Sequence, residues 1–143
     1  MKVKFNRLVP HAKMPTKATR GSGAYDVYST DELLLAPEGR YAFGTGLAME
    51  VPEGFVALVC PRSGLAIKNG VTVLNAPGVV DSDYRGEVKA IVINHDLTAP
   101  LHVNKGDKIA QLLFVKAEEV EFEEVEVLSS TQRGVGGFGS TGK

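Results

Sequence analysis

The chain has 143 residues and carries 16 Lys and Arg against 17 Asp and Glu, for a formal net charge of -1. This length predicts one domain with a sizeable core, and the near-neutral charge gives no basic field that would attract a nucleic acid. The single cysteine, Cys60, excludes an internal disulfide framework and is typical of a reducing compartment. No apolar run reaches the length of a membrane span, and the first residues lack the apolar core of a signal peptide. We therefore expect a cytoplasmic protein without a membrane partner.

Short β-rich runs, separated by Gly, Pro, Asn and Asp, follow one another along the chain. This spacing predicts an all-β sandwich or barrel. One segment, residues 63–70, has a helical pattern, with Ser63 as the expected N-cap and Gly70 as the expected stop. The predicted strands cover residues 3–8, 33–36, 41–49, 55–60, 71–74, 87–94 and 108–115.

The C-terminal part of the sequence changes character twice. Glutamates alternate with Val120, Phe122 and Val125 over residues 118–126, which indicates a late strand with one solvated face. After Leu128 almost nothing apolar remains to be buried. We therefore expect a domain over residues 1–128 and a flexible, Gly-rich arm over residues 129–143.

Residues 78–88 are the most informative segment for function. An acidic cluster that includes Asp81 stands beside Tyr84, in a predicted tight turn between two apolar runs. A carboxylate next to an aromatic face suits an enzyme that activates water and recognises a flat or ring-shaped substrate.

Two further segments indicate binding of anions. Arg62 and Ser63 open the predicted helix, where free N–H groups attract negative charge, although a solvated Arg and a simple cap explain them equally well. Gln111 is polar in an otherwise apolar strand, so its amide needs a specific partner, which is either a ligand or a structural hydrogen bond. Asp26 follows a glycine-rich turn, where a lone Asp more often forms a turn than binds a ligand.

The arm combines a cation, an aromatic ring and two hydroxyls among glycines. Arg133 has donors suited to phosphate, Phe138 offers a stacking face, and the glycines near Ser140 and Thr141 expose N–H groups for an anion nest. Three of the glycines fit the dinucleotide pattern GxGxxG, but no βα unit follows them, so that interpretation is rejected. We expect a lid that orders on a phosphorylated ligand, with a disordered tail as the alternative.

Together these segments supply two cation-centred phosphate sites, a carboxylate base and two aromatic faces. This chemistry predicts attack of water on a polyphosphate ester or anhydride, for which a positioned water, a base and charge neutralisation are needed. The residue types alone identify neither the base nor the sugar of such a substrate.

Five motifs, in order along nearly the whole chain, resemble those of the homotrimeric deoxyuridine triphosphatase (dUTPase, dUTP diphosphatase) family. The third and fifth motifs are highly specific. The first departs slightly, because Gly23-Ala24 stands where Ala-Gly is usual, and this affects only local turn geometry. The matching segments are residues 24–26, 61–66, 78–88, 106–114 and 133–142.

The resemblance implies a jelly-roll-like β-barrel of the β-clip type, with one short helix and a flexible arm, assembled as a homotrimer with active sites between subunits. It implies hydrolysis of dUTP to dUMP and pyrophosphate, which lowers dUTP and supplies dUMP for dTMP synthesis. The sequence predicts no nucleic-acid partner, and it gives no prediction of a protein partner beyond copies of the same chain. Mg²⁺ would bind chiefly through the triphosphate, with Asp26 contributing through water.

The resemblance also implies roles for individual residues. Asp81 would be the general base that orients water toward the α-phosphorus, and Tyr84 would lie under the deoxyribose and leave no room for a 2′-hydroxyl. Uracil would be read by Asn75, Gly78, Val79, Val80 and Lys89. The phosphates would be held by Arg62, Ser63, Gly64 and Gln111. The γ-phosphate and base would be covered by Arg133, Phe138, Ser140 and Thr141, donated by a neighbouring subunit.

Two alternatives remain open at this point. A dCTP deaminase-type enzyme shares the fold but uses other catalytic residues and usually lacks the Phe-Gly arm motif, and release of ammonia from dCTP would identify it. A trimeric regulatory protein that has lost catalysis should lack Asp81, Tyr84 or Arg133, and all three are present.

Overall fold

The fold consists of antiparallel β-sheets around one hydrophobic core, as the sequence predicts. The computed structural model describes residues 1–139 and contains one short helix, α1 (Ser63–Asn69), among its strands. The strands are β1 (Lys4–Arg7), β2 (Tyr25–Tyr28), β3 (Leu33–Leu35), β4 (Arg40–Glu50), β5 (Phe55–Cys60), β6 (Val71–Val73), β7 (Gly78–Val80), β8 (Glu87–Asn94), β9 (Leu101–Val103) and β10 (Lys108–Lys116).

Two four-stranded sheets form the body of the protein, with the orders β1-β4-β8-β6 and β2-β10-β5-β7, and β3 pairs with β9 in a small third sheet. Both large sheets contribute to one cluster of buried apolar side chains. Phe43 of β4 and Leu112 of β10 are among its fully buried members. The shared cluster means that the two sheets enclose a common core, which supports the residues on their edges and loops.

Seven of the strands correspond to predicted runs, whereas β2, β7 and β9 were not predicted. Short length alone does not explain this, because β1, β3 and β6 also have only three or four residues and were predicted. Two of the missed strands include residues that are unusual in strands, namely Asp26 in β2 and Gly78 at the start of β7. Their pairing partners in the folded chain, rather than their own propensity, make them strands.

The predicted strand over residues 118–126 is wrong. In the described part of the chain the last strand ends at Lys116, and the segment that follows has no regular structure. Phe122 is 92% exposed and Val120 is 65% exposed. The alternation of Glu with apolar residues is real, but no strand in residues 1–139 pairs with it, and a strand needs a partner for its backbone groups.

Helix α1 is correctly predicted, but its N-cap is Arg62 and not Ser63. Ser63 is the first helical residue, and Arg62 has extended backbone angles and makes no side-chain cap hydrogen bond. Gly70 ends the helix in the left-handed conformation, as expected. None of the helical structure in residues 1–139 is long and apolar enough to span a membrane.

A bulge in β4 holds the start of β8, directly after the 81–86 turn. The register of β4 against β8 shifts between Gly44 and Ala48, opposite Glu87. The Glu87 carboxylate accepts a hydrogen bond from the Gly46 N–H at 2.9 Å, and the Thr45 hydroxyl donates to the Val88 carbonyl at 2.7 Å. The first residues of β8 are therefore fixed to a buried part of β4.

Asn94, at the end of β8, is fully buried and joins three segments. Its Nδ2 donates to the carbonyls of Leu35 at 3.3 Å and Ala99 at 2.9 Å, and its Oδ1 accepts the Asp96 N–H at 3.0 Å. A buried amide is tolerated here because its donors and acceptor all have partners.

Replacing Asn94 with Ala should lower the free energy of unfolding by roughly 2–4 kcal/mol, because the buried Leu35 carbonyl and the part-buried Ala99 carbonyl lose a donor and a small cavity forms. The measurement is urea unfolding at a fixed protein concentration. Thr98→Ala removes an exposed hydroxyl contact from the same loop and should change the free energy by less than about 0.5 kcal/mol. Equal effects of the two substitutions would contradict the structural role of Asn94.

Candidate functional site

Asp81 and Tyr84 lie in a compact turn that follows β7. The Tyr84 N–H donates to the Asp81 carbonyl at 3.2 Å. Arg85 stabilises the same turn, since its Nη1 donates to the carbonyls of Ser82 at 2.6 Å and Tyr84 at 3.0 Å. The turn that carries the carboxylate and the aromatic ring is thus held by hydrogen bonds to its own backbone carbonyls, within residues 81–85.

The hydroxyl end of the Tyr84 ring lies close to the backbone of Gly86. A Cβ atom at position 86 would be 2.4 Å from Tyr84 Oη and 2.6 Å from Cζ. The hydroxyl donates to the Glu87 carbonyl at 3.1 Å. Tyr84 is 46% exposed, but the hydrogen bond to Glu87 fixes the position of its ring.

A cavity of about 270 Å³ brings together five of the predicted site residues. Its polar side chains belong to Asp81, Tyr84, Glu87 and Lys89. The Asn75 side chain is close by, since its Nδ2 lies 3.1 Å from the place that a Cβ on Gly78 would occupy. The cavity is lined chiefly by Val79, Val80, Asp81, Tyr84, Lys89 and Ile91.

Strand β7 is an edge strand, paired only with β5. An edge strand has N–H and C=O groups without partners in the sheet. In residues 78–80 these groups border the cavity that Val79 and Val80 line. The backbone can therefore present both donors and acceptors to a planar polar ligand.

A second group of predicted residues surrounds Asp26. Its Oδ1 accepts from Arg62 Nε at 3.1 Å, and its Oδ2 accepts from Lys108 Nζ at 2.8 Å. Arg62 Nη1 also donates to the Lys108 carbonyl at 3.0 Å. Gln111 pairs with Asp26 across the strands, and its Nε2 donates to the Pro61 carbonyl at 2.9 Å.

These contacts distinguish between the structural roles that the sequence leaves open for Arg62, Gln111 and Asp26. Arg62 is half-buried and ion-paired, not simply solvated, and the Gln111 amide has a structural partner. Asp26 is buried and anchors two cations. Ser63 and Gly64 are exposed in the first turn of α1, beside this cluster.

The two groups lie far apart in one chain. Strands β2 and β7 are opposite edges of one sheet, and three strand spacings amount to roughly 14 Å. Register places Asp26 level with Cys60 and Asp81 level with Val56. That offset of four residues amounts to roughly 14 Å along the strands. Because it is perpendicular to the separation across the sheet, the two combine to a distance of roughly 20 Å. Arg62 and Lys108 line a different cavity of about 370 Å³, which shares no lining residue with the first.

The two arm residues within the described range, Arg133 and Phe138, are not brought to either cavity. Arg133 Nε donates to the Gly136 carbonyl at 2.8 Å, within its own segment, and Phe138 is fully exposed. Neither side chain lines the cavities that contain Asp81 or Arg62. Ser140 and Thr141 lie outside the described residues.

Three residues with clear roles in this geometry had no predicted role. Lys108 shares the Asp26 carboxylate, Arg85 stabilises the turn and Gly86 leaves space for Tyr84. All three lie within the motif segments 78–88 and 106–114, so their position in these motifs was the one feature of the sequence that could have predicted a role for them. Residues 1–139 contain no group of three or more His, Cys, Asp or Glu arranged to hold a metal ion.

Comparison with known proteins gives a consistent result. The family model described as dUTPase matches residues 10–142. The deoxyuridine 5′-triphosphate nucleotidohydrolase of Nautilia profundicola is 46% identical over 143 residues, which is 100% of both chains. The protein of the same name from Corynebacterium diphtheriae is 46% identical over 140 residues, covering 98% of this chain and 92% of the relative.

Solved structures are similar over the same extent. The dUTPase of Staphylococcus bacteriophage 80alpha, solved with dUPNHPP, matches with a TM-score of 0.92 at 25% identity. The match covers 99% of each chain. This likeness confirms the predicted jelly-roll-like fold.

Replacing Asp26 with Asn should lower the free energy of unfolding by roughly 1–3 kcal/mol, because Arg62 and Lys108 would lose their shared anion. The matched control is Glu50→Gln, which removes the acceptor of the exposed Lys4–Glu50 pair at 2.9 Å and should leave stability nearly unchanged. Chemical unfolding of both variants at the same protein concentration is the measurement. A loss no larger for Asp26→Asn than for Glu50→Gln would contradict the anchoring role.

Proposed function

The chain belongs to the dUTPase family and is a dUTP diphosphatase, and from this premise we propose that Asp81 activates the water that attacks the α-phosphorus of dUTP. The products are dUMP and pyrophosphate. The match to the dUTPase model and to relatives named as triphosphate nucleotidohydrolases favours hydrolysis over the deaminase and over a protein without catalysis. We also infer a cytoplasmic location, in keeping with the free thiol of Cys60.

The observation that carries the mechanism is the cavity shared by Asp81 and Tyr84. A base must lie within reach of the proton that it removes, and the carboxylate at the mouth of this cavity can orient a water molecule toward a bound phosphate. Tyr84 provides a flat surface for the deoxyribose. A ring packed against that sugar leaves no room for a 2′-hydroxyl.

Uracil is recognised by backbone groups of β7, together with Asn75 and Lys89. The free edge of Gly78, Val79 and Val80 supplies donors and acceptors that match the O4, N3–H and O2 groups of uracil. Cytosine carries an amino group and an unprotonated N3, so polar groups would be left unpaired. Such mismatches reduce activity by roughly 10⁴-fold or more.

The triphosphate is held by the cluster around Asp26. Two N–H groups of Arg62 bond to Asp26 and to the Lys108 carbonyl, and the other donors of its guanidinium remain for phosphate oxygens. Ser63 and Gly64 add a hydroxyl and backbone N–H groups. Gln111 holds the Pro61 carbonyl and thereby the segment that precedes the helix.

A complete active site needs more than one subunit. The Asp81 and Arg62 groups lie roughly 20 Å apart in one chain, too far to serve the same α-phosphate and β-phosphate. A homotrimer with sites at its interfaces would bring Asp81 of one subunit to the Arg62 group of another. We propose that the arm, residues 129–143, comes from a further neighbour, with Arg133, Phe138, Ser140 and Thr141 covering the γ-phosphate and base.

In this proposal magnesium is bound chiefly by the phosphates of the substrate. The described residues offer no protein cage for a cation, and Mg²⁺ is commonly held by substrate phosphates with a few carboxylate contacts. A carboxylate has more acceptor positions than the two that Arg62 and Lys108 use on Asp26, so Asp26 can accept a hydrogen bond from metal-bound water. The ion, when bound, would neutralise charge on the triphosphate.

Asp81→Asn should bind dUTP nearly as well as the parent and hydrolyse it more slowly, by a factor on the order of 10²–10⁴ in kcat. The amide keeps the shape of the side chain and removes the base. Asp83→Asn, in the same turn, is the matched control and should keep near-parental turnover. Pyrophosphate release and dUTP binding are measured for both variants, and near-parental turnover of Asp81→Asn would show that another group is the base.

Mixed trimers test the sharing of sites. Two inactive chains, Asp81→Asn and a chain ending at residue 132, should regain activity when refolded together, because some sites then draw a good base and a good arm from different subunits. With random mixing, about a quarter of the sites should be complete. As a control, Asp81→Asn refolded with a chain that combines Asp81→Asn and the truncation should stay inactive. If the mixture of Asp81→Asn with the truncated chain is equally inactive, base and arm come from the same subunit.

A further inference from the structure

We propose that Gly86 determines sugar specificity by positioning the Tyr84 ring, an inference that rests on the proposed role of Tyr84 toward the deoxyribose. Gly86 itself touches no substrate in this proposal. Its contribution is the absence of a side chain, which lets the hydroxyl end of the ring approach the backbone at position 86.

The space at position 86 is closed by one side chain. An added Cβ would be 2.4 Å from Tyr84 Oη, 2.6 Å from Cζ and 3.0 Å from Cε2, and these are its three nearest heavy atoms. The backbone of Gly86 is outside the left-handed region, so Ala is compatible with its dihedral angles. The Tyr84 ring is therefore the obstacle to a larger residue at this position.

The ring, and not the backbone, is the part that would move. Arg85 bonds to two carbonyls of the turn, while Glu87 is bonded through its carboxylate to Gly46 and lies 3.4 Å from Lys89 Nζ. The Tyr84 side chain is half-exposed and is joined to this frame by one hydrogen bond, from its hydroxyl to the Glu87 carbonyl. A Cβ at position 86 would break that bond and displace the ring.

A displaced ring should weaken discrimination while sparing the rest of the site. Asp81 is held by the turn, whose Arg85 contacts involve Ser82 and Tyr84 carbonyls and not Gly86. In the proposed assembly the phosphate cluster around Asp26 comes from another subunit, and its cavity is lined by none of the residues of this turn. Loss of the sugar platform should therefore lower kcat/KM for dUTP more than for UTP.

The test compares kcat/KM for dUTP and UTP in Gly86→Ala, Tyr84→Ala and the double variant. We expect Gly86→Ala to raise the UTP/dUTP ratio on the order of 10-fold, the effect of a small steric change in a substrate pocket. The same substitution should have no further effect on the ratio when Tyr84 is already Ala. Gly21→Ala is the control, because its Cβ would enter open space, and it should leave the ratio unchanged.

The outcomes separate this inference from the proposed function. An unchanged ratio in Tyr84→Ala would overturn the role of Tyr84 itself. A raised ratio in Tyr84→Ala with an unchanged ratio in Gly86→Ala would overturn only the role of Gly86. If Gly86→Ala fails to fold, Tyr84→Ala should restore its melting temperature by removing the clash, and a double variant that stays unfolded would place the conflict in the backbone and overturn the inference.

Discussion

Glu87 connects the most exposed part of the site to the core of the protein. Its carboxylate accepts the Gly46 N–H in the β4 bulge, and its carbonyl accepts the Tyr84 hydroxyl. Thr45 holds the next residue, Val88, from the same bulge. A ring that excludes a hydroxyl by its shape needs a rigid support, because a mobile ring would yield to the larger substrate. Under the proposed role of Tyr84, the selectivity of the site would therefore depend on Glu87, which also lines the cavity.

A second anchor, Asp26, organises the cations. Arg62 and Lys108 would repel each other without it, and the carboxylate fixes both at distances of 3.1 and 2.8 Å. The arrangement reduces the net positive charge available to the triphosphate. Arg62 is already oriented, so the phosphate binding that we propose for it would require less ordering of a long side chain. Gln111 contributes in the same way, since its amide is committed to the Pro61 carbonyl.

The distance between these two anchored groups bears on assembly. The strand order β2-β10-β5-β7 places Asp26, which holds both cations, and the Asp81 turn at opposite edges of one sheet. A gap of roughly 20 Å is too long for a side-chain movement to close. Under the proposed roles of Asp81 and Arg62, each subunit therefore presents two half-sites, and a complete site forms between subunits.

The sequence by itself determined the all-β class, the position of the one described helix and the chemistry of the Asp81–Tyr84 turn. These features depend on residues that are close together along the chain, so local pattern and residue type suffice to predict them. The tertiary structure decided that Arg62 is an ion-paired N-cap, that Lys108 shares Asp26, that the Tyr84 hydroxyl end lies close to Gly86 and that residues 118–126 form no strand. Most of these outcomes depend on which strands are neighbours and in which register, and a shift of one residue would turn each side chain to the opposite face.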